Sequence, residues 1–121
     1  MAFDWNEYII LAVQLNSGTP TEAQMRSATS RAYYGAFIQV RNKKGKSMEK
    51  DAAVHLIIIN ELKASDVPEE LSIGNLLHDL RKKRNDADYD GIKYKPTPQD
   101  TNSHILKAQN IVKNLAFIQM H

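Results

Sequence analysis

The sequence predicts an all-α protein, an antiparallel bundle of helices. Five segments carry apolar residues at helical spacing, and each is bounded by capping residues, glycine or proline. The connections between the segments are short, and no stretch is a convincing strand. A chain of 121 residues is long enough for one sizeable core, so we expect residues 1–121 to form a single domain.

The first two helices have clear boundary signals. Asp4 is placed to cap the first helix, and Gly18 suits its end. In "TPTE" (19–22), Thr19 precedes a proline and is followed three residues later by Glu22, which predicts a capping box. We expect this second helix to run to about Asn42, before "KKGK" ends it. The apolar positions of the first helix are Trp5, Tyr8, Ile9, Ala12 and Leu15.

The remaining three helices follow from similar signals. The third segment, "DAAVHLIIINELK", contains an apolar run that also suits a buried strand, but its length and ending favour a helix. The fourth opens near Asp66–Pro68 with acidic residues in its first turn and closes by Gly91. The fifth begins at "TPQD" (97–100), where Thr97 is the cap. One side of the fifth helix carries Ile105, Ala108, Ile111, Val112, Leu115 and Ile118.

Composition and motifs exclude several functional classes. A net charge of +2 does not indicate a nucleic-acid-binding surface over the whole protein, so any such binding must be local. The absence of cysteine excludes disulfides and thiolate metal sites. The histidines and acids show no metal-ligand spacing, no glycine-rich phosphate loop is present, and no cofactor is expected. Without a signal sequence or an apolar run of membrane length, we expect a cytoplasmic protein with no membrane partner.

One arginine occupies an unexpected position on the fourth helix. On a helical wheel Arg84 falls in the middle of an apolar arc formed by Ile73, Leu76, Leu77, Leu80 and Ala87. Burying a guanidinium is costly unless its hydrogen bonds are satisfied. Asp88, four residues on, is well placed to accept from it, so a purely structural ion pair remains one interpretation. Lys82 and Lys83, by contrast, are expected on a solvated face.

Polar groups also interrupt the apolar stripe of the second helix. Arg26, Ser30, Tyr33, Phe37 and Val40 form one line on its wheel. A glycine in the middle of this helix, at position 35, indicates close approach by another helix or by a ligand.

Two stretches together resemble the HEPN family of small all-α domains. They are "SRAYYGAF" (30–37) on the second helix and "RKKRNDADYD" (81–90) near the end of the fourth. The opening "FDWNEYIILA" and a histidine at the start of the third helix, His55, extend the resemblance over most of the chain. The closest similarity is to stand-alone prokaryotic members with an "R-N-x-A-D-Y" signature, which Arg84 and Asn85 begin here.

The resemblance implies a fold, an assembly and an activity. The family fold is an up-and-down four-helix bundle with an additional helix, usually dimeric, with the arginine motifs of two subunits facing each other across a cleft. Many members are metal-independent endoribonucleases of toxin-antitoxin or antiviral systems, often accompanied by a nucleotidyltransferase antitoxin. The resemblance thus implies a homodimer that binds RNA or a nucleotide.

The family motif places a histidine five to seven positions after the arginine, and this chain lacks it. Those positions hold Tyr89, Asp90 and Gly91. A phenol is a poor base at neutral pH, which leaves His55 and His78 as substitutes. His78 is expected to be exposed or capping, whereas His55 either turns toward the cleft or caps its helix.

Three functions therefore remain open from the sequence. The first is a HEPN-type RNA-binding protein with metal-independent endoribonuclease activity. The second is a non-catalytic module that binds a nucleotide or a nucleotidyltransferase, and the third is a helical dimer with a structural Arg84–Asp88 pair. The expected catalytic residues are Arg84, Asn85 and Tyr89, and the expected nucleotide- or RNA-binding residues are Ser30, Tyr33, His55, Arg81 and Asp88.

Overall fold

The structure, a computed structural model, is all-helical over the residues it describes, 2–46 and 53–119. None of these residues forms a strand, which confirms the predicted all-α class and the helical interpretation of the third segment. The first two residues of that segment, 51 and 52, lie outside the described residues. The helices are α1 (Asn6–Leu15), α2 (Glu22–Lys43), α3 (Ala53–Lys63), α4 (Pro68–Tyr89) and α5 (Pro98–Lys113), followed by a 3₁₀ turn (Leu115–Phe117).

The start of α2 differs from the prediction by two residues. The capping box forms at Thr21, whose hydroxyl accepts from the backbone N–H of Gln24 at 3.2 Å, and not at Thr19. The Gln24 side chain accepts in return from the backbone N–H of Thr21 at 2.8 Å. The predicted partner Glu22 is instead held by Arg26 within the first turn, at 3.0 Å. The capping residue is thus the threonine whose backbone N–H can be bonded by an acceptor side chain three residues later.

The starts of α1 and α5 and the glycine after α1 agree with the expected signals. The end of α5 does not: the helix stops at Lys113, so Leu115 lies in the 3₁₀ turn and Ile118 in extended backbone instead of on the fifth helix. The Asp4 carboxylate accepts from the backbone N–H of Asn6 at 3.0 Å, just before α1. Gly18 has a φ of 67°, a left-handed conformation that favours glycine after the helix. At α5 the hydroxyl of Thr97 accepts from the backbone N–H of Asp100 at 3.1 Å, as predicted.

Helix α2 is the element against which the others assemble. It packs on α1, α4 and α5, while α3 packs on α4. The glycine at position 35 is the point where α1 crosses α2, because a Cβ there would lie 2.8 Å from Cγ1 of Ile9. The close approach expected at this glycine is therefore made by a helix. One hydrophobic cluster includes buried side chains from all five helices, among them Ile9, Phe37, Ile58, Leu77 and Ile111.

Candidate functional site

The guanidinium of Arg84 lies inside the packed part of the molecule. The residue is only 8% exposed and is enclosed along α4 by the buried side chains of Leu77, Leu80 and Ala87. The burial expected from its wheel position is thus confirmed. By contrast, Lys82 and Lys83 of the same helix are exposed, as expected of a solvated face.

Two tyrosines of α2 form the wall that faces this guanidinium. Its central carbon lies 5.2 Å from the ring centre of Tyr33 and 5.1 Å from that of Tyr34. The two rings are in edge contact with each other, with centres 5.4 Å apart. Aromatic faces attract a cation but accept none of its N–H groups in the way a carboxylate does. The arginine is therefore held by ring contacts, which leave its Nε without a hydrogen-bond partner among the described residues.

Asp88 is the acid nearest to Arg84, and the contact between them is loose. One carboxylate oxygen of Asp88 lies 3.8 Å from Nη1 of Arg84, beyond hydrogen-bonding distance. The hydroxyl of Ser30 donates to the same oxygen at 3.3 Å. Nε of Arg84 is buried and has no hydrogen-bond partner among the residues that the structure describes. The structural ion pair expected between these side chains therefore satisfies the guanidinium only in part.

His55 turns toward this cluster from the first turn of α3. Its Nδ1 lies 2.7 Å from the Tyr33 hydroxyl, and its ring stacks on Phe37 with centres 3.9 Å apart. Burial, together with the positive charges of Arg84, Arg81 and Arg41, lowers the pKa of His55 to about 4. The imidazole is therefore neutral at pH 7.

Tyr33 is also neutral at pH 7. Burial raises the pKa of its phenol well above the usual value near 10, although Arg84 and Arg81 act in the opposite direction. The Tyr33–His55 hydrogen bond thus joins two uncharged groups beside two cationic side chains. Of the two histidines considered from the sequence, His55 is the one that contacts the predicted site, and His78 is exposed.

A groove of about 440 Å³ opens next to the cluster, between α2 and the end of α4. Tyr34, Ser30 and Asp88 line this groove, and Tyr34 and Asp88 are also in contact with the guanidinium of Arg84. Arg31 also lines the groove, and sequence reasoning missed it. The signal was available, because Ser27, Arg31 and Tyr34 follow helical spacing on one face of α2.

Arg26 lines the same groove but has a structural role. Its guanidinium donates to the backbone carbonyls of Asp86, Ala87 and Tyr94, at 3.3, 3.0 and 2.9 Å, and to the carboxylate of Glu22. The bonds to Asp86 and Ala87 cap the last turn of α4, where the Asp86 carbonyl also accepts from the backbone N–H of Asp90. Its place on the polar line of α2 is therefore explained without a ligand.

The structure does not bring all predicted residues together. Arg81 and Asn85 are half-buried on α4, whereas Tyr89 is 78% exposed and its side chain makes no hydrogen bond or ring contact in the described part of the chain. The cluster thus contains Arg84, Tyr33 and His55, with Ser30 and Asp88 on the groove side. The described ranges contain no group of three or more histidine or acidic residues that could hold a metal ion. Nor does any helix within them have the length and apolar character needed to cross a membrane.

These features define an all-helical protein with a buried, partly unsatisfied arginine beside a groove. Comparisons of the chain with protein-family models, curated proteins and solved structures found no match.

Proposed function

We propose that this protein is a HEPN-type RNA-binding protein, a cytoplasmic homodimer in which Arg84 of each subunit binds a phosphate of the RNA. The proposal adopts the family's up-and-down four-helix bundle with an additional helix. It rests chiefly on one observation: Arg84 is buried against two tyrosine rings, and its Nε has no partner among the described residues. A phosphate offers the planar guanidinium the paired acceptors that the loose Asp88 contact does not.

Burial makes this arginine well suited to bind a phosphate. In a medium of lower polarity than water, each charge-assisted hydrogen bond is stronger, and a guanidinium held by packing loses little entropy when a ligand arrives. A leucine at position 84 would pack against the same buried side chains without burying an unsatisfied donor. The arrangement is therefore better explained by a ligand than by stability.

A subunit interface near the end of α4 is part of the proposal. Tyr89 and Ile92 are 78% and 84% exposed, next to the arginine motif. Exposed apolar side chains beside a polar site are typical of a surface that another molecule covers. Sedimentation analysis tests this point: we expect a dimer, and replacement of both residues by serine should shift it toward the monomer.

Binding of single-stranded RNA to an Arg84→Gln variant tests the central claim. Fluorescence anisotropy should show at least a tenfold loss of affinity, the effect of about 1.5–3 kcal/mol expected for a hydrogen bond to a charged group. Lys82→Gln is the matched control, because it removes the same charge from an exposed position of the same helix. Equal affinities for the two variants would reject Arg84 as the phosphate ligand.

RNA cleavage is a second candidate function, which the position of His55 favours. The uncharged His55 imidazole, near Arg84, would take the proton of a 2′-hydroxyl as that oxygen attacks the phosphorus. The bond to the 5′-oxygen then breaks to leave a 2′,3′-cyclic phosphate, and the imidazolium returns the proton to the departing 5′-oxygen. Arg84 would stabilise the negative charge on the phosphorane oxygens. His55 would thereby serve in place of the absent motif histidine. His55→Asn should then abolish cleavage without abolishing RNA binding, and a substrate with 2′-deoxyribose at the cleaved position should remain intact.

The non-catalytic alternative is a module that binds a nucleotide or a nucleotidyltransferase antitoxin. The exposure of Tyr89 supports it, because an accessible phenol suits modification by such a partner. Intact-mass measurement after incubation with a co-purified nucleotidyltransferase and ATP tests it. A nucleotide adduct on the parent chain and none on Tyr89→Phe would support this function, whereas an unchanged mass would reject it.

A further inference from the structure

Arg81 is a second arginine with an unused donor on the same face of α4. It precedes Arg84 by three residues, so the two side chains lie on neighbouring positions of one helical face, with Cβ atoms about 5–6 Å apart. Nε of Arg81 is buried and without a hydrogen-bond partner in the described ranges, as is Nε of Arg84. The exposed Lys82 and Lys83 between them do not share this environment.

The charges of both arginines act on the same pair of aromatic side chains. The positive charges of both act on the Tyr33 phenol and on the His55 imidazole, which are hydrogen-bonded to each other. Both arginines therefore exert their charge on one region, where side chains of α2 and α3 meet.

Negative charge near these arginines is scarce in the described part of the chain. Asp88 is the one acid that forms an ion pair with Arg84, at 3.8 Å, and none there pairs with Arg81. In the free protein the two adjacent guanidinium groups repel each other, and each has an unsatisfied donor. Such a pair is stabilised most by a ligand that carries two negative groups at similar spacing.

We infer that Arg81 and Arg84 bind two adjacent phosphoryl groups of one ligand, with Arg84 holding one group and Arg81 the next. This inference rests on the proposed function, since it extends the phosphate site at Arg84 by a second position. Two neighbouring phosphoryl groups occur both in a nucleoside diphosphate and in two successive phosphates of a single-stranded nucleic acid. A lone phosphate carries less negative charge and fewer acceptors for the two guanidinium groups to share, so we expect the pair to bind it more weakly.

Titration calorimetry on the full chain tests the inference with ligands that differ by one phosphoryl group. The probes are AMP and ADP for the diphosphate, and a uridine dinucleotide without and with a 5′-phosphate for the strand. We expect the parent protein to bind at least one two-phosphate ligand about tenfold more tightly than its one-phosphate counterpart. The pair of probes that shows this gain in affinity tells whether the ligand is a nucleoside diphosphate or a nucleic-acid strand.

Variants separate the two arginines. Arg81→Gln should remove the tenfold difference between the two-phosphate and the one-phosphate ligand, whereas Lys82→Gln should leave both affinities unchanged. Arg84→Gln should weaken every ligand. Melting curves check that each variant is folded.

The failures are distinguishable. If Arg84→Gln weakens binding and Arg81→Gln does not selectively reduce the two-phosphate gain, the second position is wrong and the proposed function stands. If Arg84→Gln changes no affinity, the proposed function itself is wrong.

Discussion

Replacement of Arg84 by leucine should leave the protein nearly as stable as the parent while removing its ligand binding. The substitution removes two cation–π contacts, worth about 1–3 kcal/mol together, and a loose ion pair worth at most about 1 kcal/mol. It also removes a buried donor without a partner in the described residues, which relieves about 1–3 kcal/mol, and it adds apolar packing. The opposing contributions are of similar size, so the net change should lie within about 2 kcal/mol of zero.

Thermal unfolding followed by circular dichroism measures this change. For a chain of 121 residues, 1 kcal/mol corresponds to a Tm shift of about 4 °C, so the variant should melt within about 8 °C of the parent. Leu80→Ala, a truncation at a fully buried position of the same helix, should cost about 2–5 kcal/mol and sets the scale for a core residue. A loss at Arg84→Leu that exceeds the loss at Leu80→Ala would refute the view that this arginine is retained for a ligand.

Three further substitutions test other parts of the account. Gly35→Ala should destabilise the protein by about 1–3 kcal/mol in urea unfolding, because the new Cβ would lie 2.8 Å from Ile9; an unchanged midpoint would contradict the close helix crossing. Asp88→Asn should increase RNA affinity several-fold in anisotropy assays, since it removes the one carboxylate that pairs with Arg84 in the described ranges; a loss of affinity would instead make Asp88 part of the ligand contact. His104 is 4% exposed and its pKa is lowered by burial to about 4, so the unfolded chain binds its proton more readily. This pKa difference contributes on the order of 3 kcal/mol to the free energy of unfolding; the contribution should be complete above about pH 6.5 and decline toward pH 4. In urea unfolding, His104→Gln should therefore flatten the dependence of the free energy of unfolding on pH over this range. Parallel pH profiles for the parent and the variant would contradict the assignment.

The sequence predicts the helices well because their boundary signals are local. The Thr97 cap and the glycine at position 18 depend on neighbours within a few residues, and both occur where expected. The start of α2 was wrong by two residues because Thr19 and Thr21 have similar local patterns. The two threonines differ in which side chain accepts from their backbone N–H: Gln24 does so at Thr21, whereas the Glu22 carboxylate pairs with Arg26.

The candidate site was only partly predictable, since helical periodicity reports burial but not the partner of a side chain. The wheel identified Arg84 as buried, yet it could not show that two tyrosine rings and a loose carboxylate surround it. The capping of α4 by Arg26 depends on how two helices far apart in sequence pack together. The exposure of Tyr89 at the end of α4 similarly depends on which surface the chain leaves uncovered.

The Hε–Nε resonance of Arg84 in a proton–nitrogen NMR spectrum tests the central claim most directly, because this N–H has no acceptor among the described residues. It is assigned by its absence from the spectrum of Arg84→Lys. On titration with single-stranded RNA, formation of a hydrogen bond to phosphate should move the proton resonance downfield until binding saturates. A resonance that stays in place at saturating RNA would show that the phosphate binds elsewhere.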